Sequence, residues 1–220
     1  MSGTGWPGKP PDANSVPVQP TTKALLRRQI LQTRRALADD VRQSEQAALK
    51  SHVATMHYVG VTVCAYVPTR TEPGSPALLD ALLAAGARVL LPVTRTTADG
   101  TPQPLWWGDY RPGALAPAAF GLLEPTGDAL PPAAIGSAEI VLVPALAVDR
   151  TGVRLGRGAG FYDRSLGLRN PVAMLVAVVR DDEVVDELPS EPHDVPMTHA
   201  LTPTAGLLTL APRPGIPVAE

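Results

Sequence analysis

The segment RLGRGAGFYDRSL, residues 154–166, sets Gly156, Gly158 and Gly160 alternately among Arg154, Arg157 and Ala159 and closes on Phe161, Tyr162 and Asp163. Glycine at every second position clears the side chains from a loop, so that backbone N–H groups can line a concave anion nest. The arginines add charge, and a helix opening near Phe161 would aim its positive end at the same point. The spacing matches neither G-x-G-x-x-G nor G-x-x-x-x-G-K-[ST], so neither familiar phosphate fingerprint applies. The residues alone leave two readings open: an anion-binding loop, or a flexible turn with exposed arginines. Asp163 also has two. On a first helical turn it stabilises the helix dipole; facing the nest, it would hold a divalent cation against phosphates, the usual arrangement for magnesium.

Asp194 lies in the proline-bracketed loop PSEPHDVPMTH, between His193 and His199. These histidines have no second ligand pair, so zinc is not indicated. Glu72 and Glu124 stand in loops where each could orient an amine or a ribose hydroxyl, or simply be solvated. His52 and His57 fall in an early helical region and read as surface or packing residues. There is no G-x-S-x-G, no cysteine–histidine pair and no lysine after residue 50, which disfavours acyl-enzyme and Schiff-base chemistry.

Such residues need a frame, and the chain is long enough to build one. Its 220 residues are 45% hydrophobic, which suits a single substantial core. The net charge of −2 creates no global field for nucleic acid or an anionic membrane surface, so any phosphate site must be a local cluster. Lys9, Lys23 and Lys50 are the only lysines. Positive charge in the body therefore comes from arginine, whose guanidinium fork grips phosphate at two points. Cys64 is the only cysteine, which rules out an intrachain disulfide and fits a reducing compartment; in VGVTVCAYV it reads as a core residue. No run approaches the roughly 18 apolar residues of a membrane span. The start lacks the basic and apolar regions of a signal peptide, so a cytoplasmic location is expected. Residues 1–20 read as a disordered Pro/Gly-rich extension and 213–220 as a flexible tail, around one domain over 21–212.

Within that domain, Thr21 or Thr22 would cap a first helix with Leu26, Ile30, Thr33 and Leu37 on one face and Lys23, Arg27 and Arg34 on others. Asp39 or Asp40 would cap a second. Apolar, β-branched runs over 59–67, 87–93, 138–149 and 172–179 read as buried strands. A helix N-capped by Ser75, with Pro76 at its first position and Gly86 at its end, separates the first two. Residues 100–110 suggest a strand on a hairpin, 111–132 mostly loop, and 194–202 an edge strand. The fold class is α/β: a three-layer α/β/α sandwich with a mostly parallel central sheet of roughly five to seven strands and N-terminal helices. In such sheets ligands collect beyond the carboxyl ends of the strands. That rule selects loops starting at Pro68, Pro92, Asp149 and Arg180.

The order of these pieces resembles the 5-formyltetrahydrofolate cyclo-ligase (5,10-methenyltetrahydrofolate synthetase) family, from about Lys23 to Thr202. The matching elements are a K-x-x-x-R helix (KALLR), an acidic loop after a strand (VPTRTEP), a strand ending LLP, and a G-x-x-EP turn (GLLEP). The long run VPALAVDRTGVRLGRGAGFYD and the tail LPSEPHD complete the set. The resemblance implies ATP-dependent cyclisation of 5-formyltetrahydrofolate to 5,10-methenyltetrahydrofolate, with Mg2+, release of ADP and phosphate, and a phosphorylated formyl intermediate. The folate would be taken alone or polyglutamylated, by a monomer with no nucleic-acid or membrane partner.

By position, the resemblance implies ATP contacts from Lys23, Ala24, Leu25, Leu26 and Arg27, and from Arg154, Leu155, Gly156, Arg157, Gly158, Ala159, Gly160, Phe161 and Tyr162. It implies folate contacts from Val67, Glu72, Phe120 and the stretch Arg157–Phe161, magnesium at Asp163 and Asp194, and catalytic roles for Arg157 and Tyr162. Phosphoryl transfer is mostly positioning and charge neutralisation, and the residues offer both. Three positions depart from the pattern. Phe161 replaces a tyrosine, Ala159 stands where glycine or lysine is usual, and Thr198 occupies a position that is often acidic. Two other classes remain open: a sugar-phosphate isomerase or CoA-transferase relative using the loop for phosphate alone, and a non-catalytic nucleotide- or folate-binding protein.

Overall fold

The computed structural model describes residues 22–55, 58–191 and 194–211; the extension over 1–20, the tail over 213–220, His57 and His193 lie outside the described residues. The chain opens with helix α1 (Lys23–Ala36), whose N-cap Thr22 accepts from the Leu25 N–H at 3.3 Å. Helix α2 (Asp39–Ala54) follows; its N-cap is Ala38, so Asp39 and Asp40 sit inside the first turn and complement the dipole instead of capping. Strand β1 (Thr62–Cys64), helix α3 (Pro76–Ala84) and strand β2 (Arg88–Val93) form the expected βαβ unit. Ser75 is its N-cap by position and Pro76 its N1 residue. β3 (Trp106–Asp109) returns antiparallel to β2 as a hairpin, as expected.

The run 111–132 is less loop-like than expected, since β4 (Leu115–Pro117) and β5 (Leu123–Pro125) pair into a small antiparallel ribbon. The run 138–149 is not one strand. β6 (Ile140–Pro144) belongs to the central sheet. After Leu146 hydrogen-bonds back to Leu155, β7 (Ala147–Asp149) joins β8 (Arg154–Leu155) in a second sheet. Helix α4 (Phe161–Ser165) leads into β9 (Met174–Val178), β10 (Val184–Val185) completes the second sheet, and the chain ends in β11 (His199–Thr202) and β12 (Gly206–Thr209). The strand expected over 194–202 therefore begins only at His199, and β12 takes the edge beside it.

The central sheet runs β12-β11-β9-β6-β1-β2-β3, parallel from β11 to β2 and antiparallel at both edges. Alternation across β1 sends Val63 to one face and Cys64 to the other. Leu49, Val53, Leu79 and Leu82 of α2 and α3 cover the first face, and Ile135 and Leu166 the second, giving three layers. Burial pushes the Cys64 thiol up to about 12, which suits an inert core residue.

Helix α1 is held differently. Leu26, Ile30 and Leu31 rest on Leu146, Ala147 and Leu155, while Thr33 is exposed. Arg34, placed from sequence on a face other than that of the apolar residues, takes the buried position, 1% exposed. Its Nε and Nη2 donate to the two oxygens of Glu183 at 2.7 and 2.6 Å, and Nη2 also reaches the carbonyl of Ala145 at 2.8 Å. Arg42 of α2 caps the end of α1 by donating to the carbonyls of Arg34 (2.7 Å), Arg35 (3.2 Å) and Leu37. Arg180, expected to open a ligand loop, is buried instead and pairs with Glu45 at 2.9 Å. Removing one member of a buried pair strands the other charge, so Glu183→Ala should cost about 3–5 kcal/mol in urea denaturation. A loss below about 1 kcal/mol would mean that the pair does not hold α1 in place.

Candidate active site

Three segments meet at the carboxyl end of the central sheet. The chain after β1 runs extended through Tyr66 and Val67 into the turn at Thr69–Glu72, Thr94 follows β2, and Ala145–Leu146 follows β6. With the glycine loop they enclose a cavity of about 260 Å³. The glycine loop leaves the small second sheet at β8, not a central strand. Asp149, expected at the mouth of the site, is fully buried and accepts from the N–H groups of Thr151, Val153 and Leu188 at 2.8–3.0 Å. It shapes the β7–β8 turn and has no place in the cavity wall.

Gly158 (φ +98°) and Gly160 (φ +80°) are in left-handed conformations that side chains resist, so glycine at these two positions is a backbone requirement. Gly160 is the N-cap of α4, and Phe161, Tyr162 and Asp163 form the first turn after it. Ser165 fastens this helix by accepting from the Leu105 N–H at 2.8 Å and donating to the Phe161 carbonyl at 2.7 Å. Arg27 donates from Nε to the Gly156 carbonyl at 2.9 Å, tying α1 to the loop. Leu155 is buried under α1, Leu26 is half-buried, and Ala24 and Leu25 are exposed.

Arg154 pairs with Asp163, with its guanidinium 5.9 Å from the centre of the Tyr162 ring. Arg157 crosses the cavity. Its Nε lies 3.2 Å from Glu72, and Nη2 donates to the hydroxyls of Thr69 and Thr71 at 3.2 and 3.0 Å. Glu72 is nearly buried and also accepts from the Thr69 N–H at 2.8 Å, so it organises this turn as well as facing the cavity. Lys23 reaches Glu191 at 3.0 Å and Asp194 at 3.4 Å. Burial works to lower the Lys23 pKa; the hydrogen bond to Glu191 and the charge of Asp194 outweigh it and hold the ammonium above its ordinary value.

Asp163 and Asp194 thus engage different cations, and among the described residues no group of three or more His, Cys, Asp or Glu side chains is arranged to hold a metal. Thr198 donates to and accepts from the backbone of Leu175, so its hydroxyl belongs to the sheet. His52 contacts the Pro203 carbonyl at 2.9 Å and is a packing residue, as expected.

Tyr66 and Arg34 were not singled out from sequence. The Tyr66 ring lines the cavity beside Tyr162; both hydroxyls are buried without a hydrogen-bond partner, as is Arg154 Nε. Burial raises the pKa of both phenols far above the ordinary value, so both remain neutral. The signal for Arg34 was its spacing, seven residues and two helical turns after Arg27, on the same face. Phe120 is 68% exposed over the cavity, edge-on to Phe161 with ring centres 5.9 Å apart, and is the one non-glycine described residue with positive φ (+60°).

A glycine loop opening a helix beside a cavity at the carboxyl end of an open, mostly parallel sheet defines an α/β protein of the ligand-binding type. Residues 19–203 match the 5-formyltetrahydrofolate cyclo-ligase family, and the chain belongs to it. It is 56% identical over 193 residues to the 5-formyltetrahydrofolate cyclo-ligase of Mycolicibacterium smegmatis, an alignment covering 88% of this chain and 100% of that one. With the enzyme of the same name from Escherichia coli K12 it shares 30% identity over 179 residues, 80% of this chain and 97% of the relative. The solved 5,10-methenyltetrahydrofolate synthetase of Aquifex aeolicus superposes with a TM-score of 0.68 at 25% identity, covering 90% of this chain and 96% of that one.

An aromatic held in the left-handed region with most of its ring in solvent contributes little to the fold. Phe120→Gly should therefore leave stability in urea unchanged or higher, within about 1 kcal/mol. A loss above about 2 kcal/mol would make the ring a packing element instead.

Proposed function

We propose that this protein converts 5-formyltetrahydrofolate to 5,10-methenyltetrahydrofolate, consuming ATP with Mg2+ and releasing ADP and phosphate. The observation that carries this reading is Arg157: it stands on the glycine loop and reaches across one cavity to Glu72, joining the proposed nucleotide side to the proposed folate side. In the proposed sequence the formyl oxygen takes the γ-phosphoryl group of ATP. The folate's neighbouring secondary amine then attacks the activated formyl carbon, and the carbon–oxygen bond breaks as phosphate leaves. The amine proton departs with the phosphate or to solvent.

The chain's own contributions follow from its charges. The N–H groups from Gly156 to Tyr162 and the start of α4 cradle phosphate oxygens. Arg27 and Arg154 supply guanidinium charge there, and Lys23 adds its ammonium from α1. Arg157 neutralises charge that develops on the transferring group, which is where a preorganised cation accelerates the step. Val67, Glu72 and Phe120 hold the folate, with Phe161 keeping a ring for stacking and the neutral Tyr162 behind it. Mg2+ fits if Asp163 and Asp194 serve it together with phosphate oxygens, because magnesium typically takes one or two carboxylates and retains water. It would supply charge neutralisation on the phosphates. Both carboxylates must then release their present partners, Arg154 and Lys23. The protein acts as a cytoplasmic monomer in this reading, on folates with or without a polyglutamate tail.

The test is growth of the methenyl product's absorbance from 5-formyltetrahydrofolate, ATP and Mg2+. Folded protein that gives no growth would refute the activity, and growth without ATP would refute its energetics. Arg157 is half-exposed, so Arg157→Ala should change stability by less than about 1 kcal/mol while slowing turnover about a hundredfold or more. Equal losses in stability and turnover would assign it a structural role.

A further inference from the structure

Glu124 was a candidate for orienting an amine or a ribose hydroxyl, but its carboxylate faces the protein. Its Oε1 accepts two hydrogen bonds from Thr94, from the backbone N–H at 2.8 Å and from the hydroxyl at 2.7 Å. Thr94 is the first residue beyond β2, at the carboxyl edge of the sheet, and lines the cavity. The next residue, Pro125, lies against β3 at Gly108, where an added Cβ would come within 2.5 Å of the proline ring. The Glu-Pro pair thus fastens one strand of the β4–β5 ribbon to the central sheet by two means: a doubly accepting carboxylate and a close approach that only glycine allows. The ribbon is a sheet of only two strands, which is marginal alone and depends on such fastening. At its tip, four residues from Glu124, stands Phe120.

We propose that Glu124 is a positioning residue that holds Phe120 over the folate by clamping the β4–β5 ribbon to the end of β2. Phe120 is tied to the rest of the protein by its edge contact with Phe161, and its backbone sits in a strained region. Its direction is therefore set chiefly by the ribbon, because that one edge contact leaves most of the ring in solvent. A carboxylate suits this clamp because one oxygen accepts from both donors and fixes the approach angle of the chain. Gln at 124 retains such an oxygen; Ala does not. The inference rests on reading the cavity as the folate site.

The experiment compares full-length wild type, Glu124→Ala, Glu124→Gln, Phe120→Ala and the Glu124→Ala/Phe120→Ala double variant. It reads kcat, KM for 5-formyltetrahydrofolate and KM for ATP. Glu124→Ala should raise the folate KM about tenfold, the scale of lost charge-assisted hydrogen bonds, with kcat and the ATP KM nearly unchanged. Glu124→Gln should stay close to wild type. The double variant should be no worse than Phe120→Ala alone, because a clamp is worthless once the ring it aims is gone. If Glu124→Ala fails to fold, Thr94→Val, which removes one of the two donors, should give a smaller rise in the same constant. Folate KM values that multiply in the double variant, or a normal folate KM in folded Glu124→Ala, overturn the clamp alone. An unchanged folate KM in Phe120→Ala overturns the folate reading of this wall, and the clamp with it.

Discussion

The arrangement turns on one buried ion pair, Arg34 with Glu183. Burying a guanidinium and a carboxylate together is costly unless most of their hydrogen bonds are made; here both carboxylate oxygens and the Ala145 carbonyl are aligned on Arg34, while its buried Nη1 is left without a partner. That requirement leaves α1 one place to lie: across the point where the chain leaves β6 for the second sheet. Arg27, two turns earlier on the same face, then falls on the Gly156 carbonyl, and Lys23, one turn further, on Glu191 and Asp194. The Arg42 cap and the Arg180–Glu45 pair fix the second helix to the first and to the sheet. A helix of low intrinsic burial thereby becomes a rigid part of the site.

The cavity is consequently a joint between two sheets. One wall comes from the central sheet, through Tyr66, Val67 and Thr94; the other comes from the loop that the small β7-β8-β10 sheet presents. Arg157 bridges the walls through Glu72 and two threonine hydroxyls. Several cations near the loop already have carboxylate partners: Arg154 has Asp163, Arg157 has Glu72, and Lys23 has Glu191 and Asp194. A ligand bearing phosphates would exchange these pairs for charge-assisted contacts to its own oxygens.

Much of the frame was legible because its signals are local. The βαβ unit from β1 to β2 announced itself by β-branched apolar runs, Pro76 at a helix start and Gly86 at its end. The glycine alternation marked a loop whose backbone needs φ > 0 at Gly158 and Gly160. What misled was length without context. The apolar run 138–149 looked like one strand, yet it serves two sheets, because Leu146 pairs with Leu155 and Arg34 draws in the Ala145 carbonyl. Arg34 was placed off the apolar face of α1 with no partner, since no sequence rule pairs it with a glutamate 149 positions away.

By itself the sequence determined the α/β class, the central βαβ pattern, the place of the glycine loop and, through motifs in fixed order, the family. These depend on residue type and short-range spacing, which the chain carries everywhere along its length. Tertiary structure alone decided that Asp149 would be a turn buried away from the site, that Arg180 and Arg34 would be internal struts, and that Glu124 would grip Thr94 instead of a ligand. It also decided that Tyr66 would share a wall with Tyr162. Each of those outcomes depends on which distant partner satisfies a buried polar group, and that partner exists only once the sheets are packed.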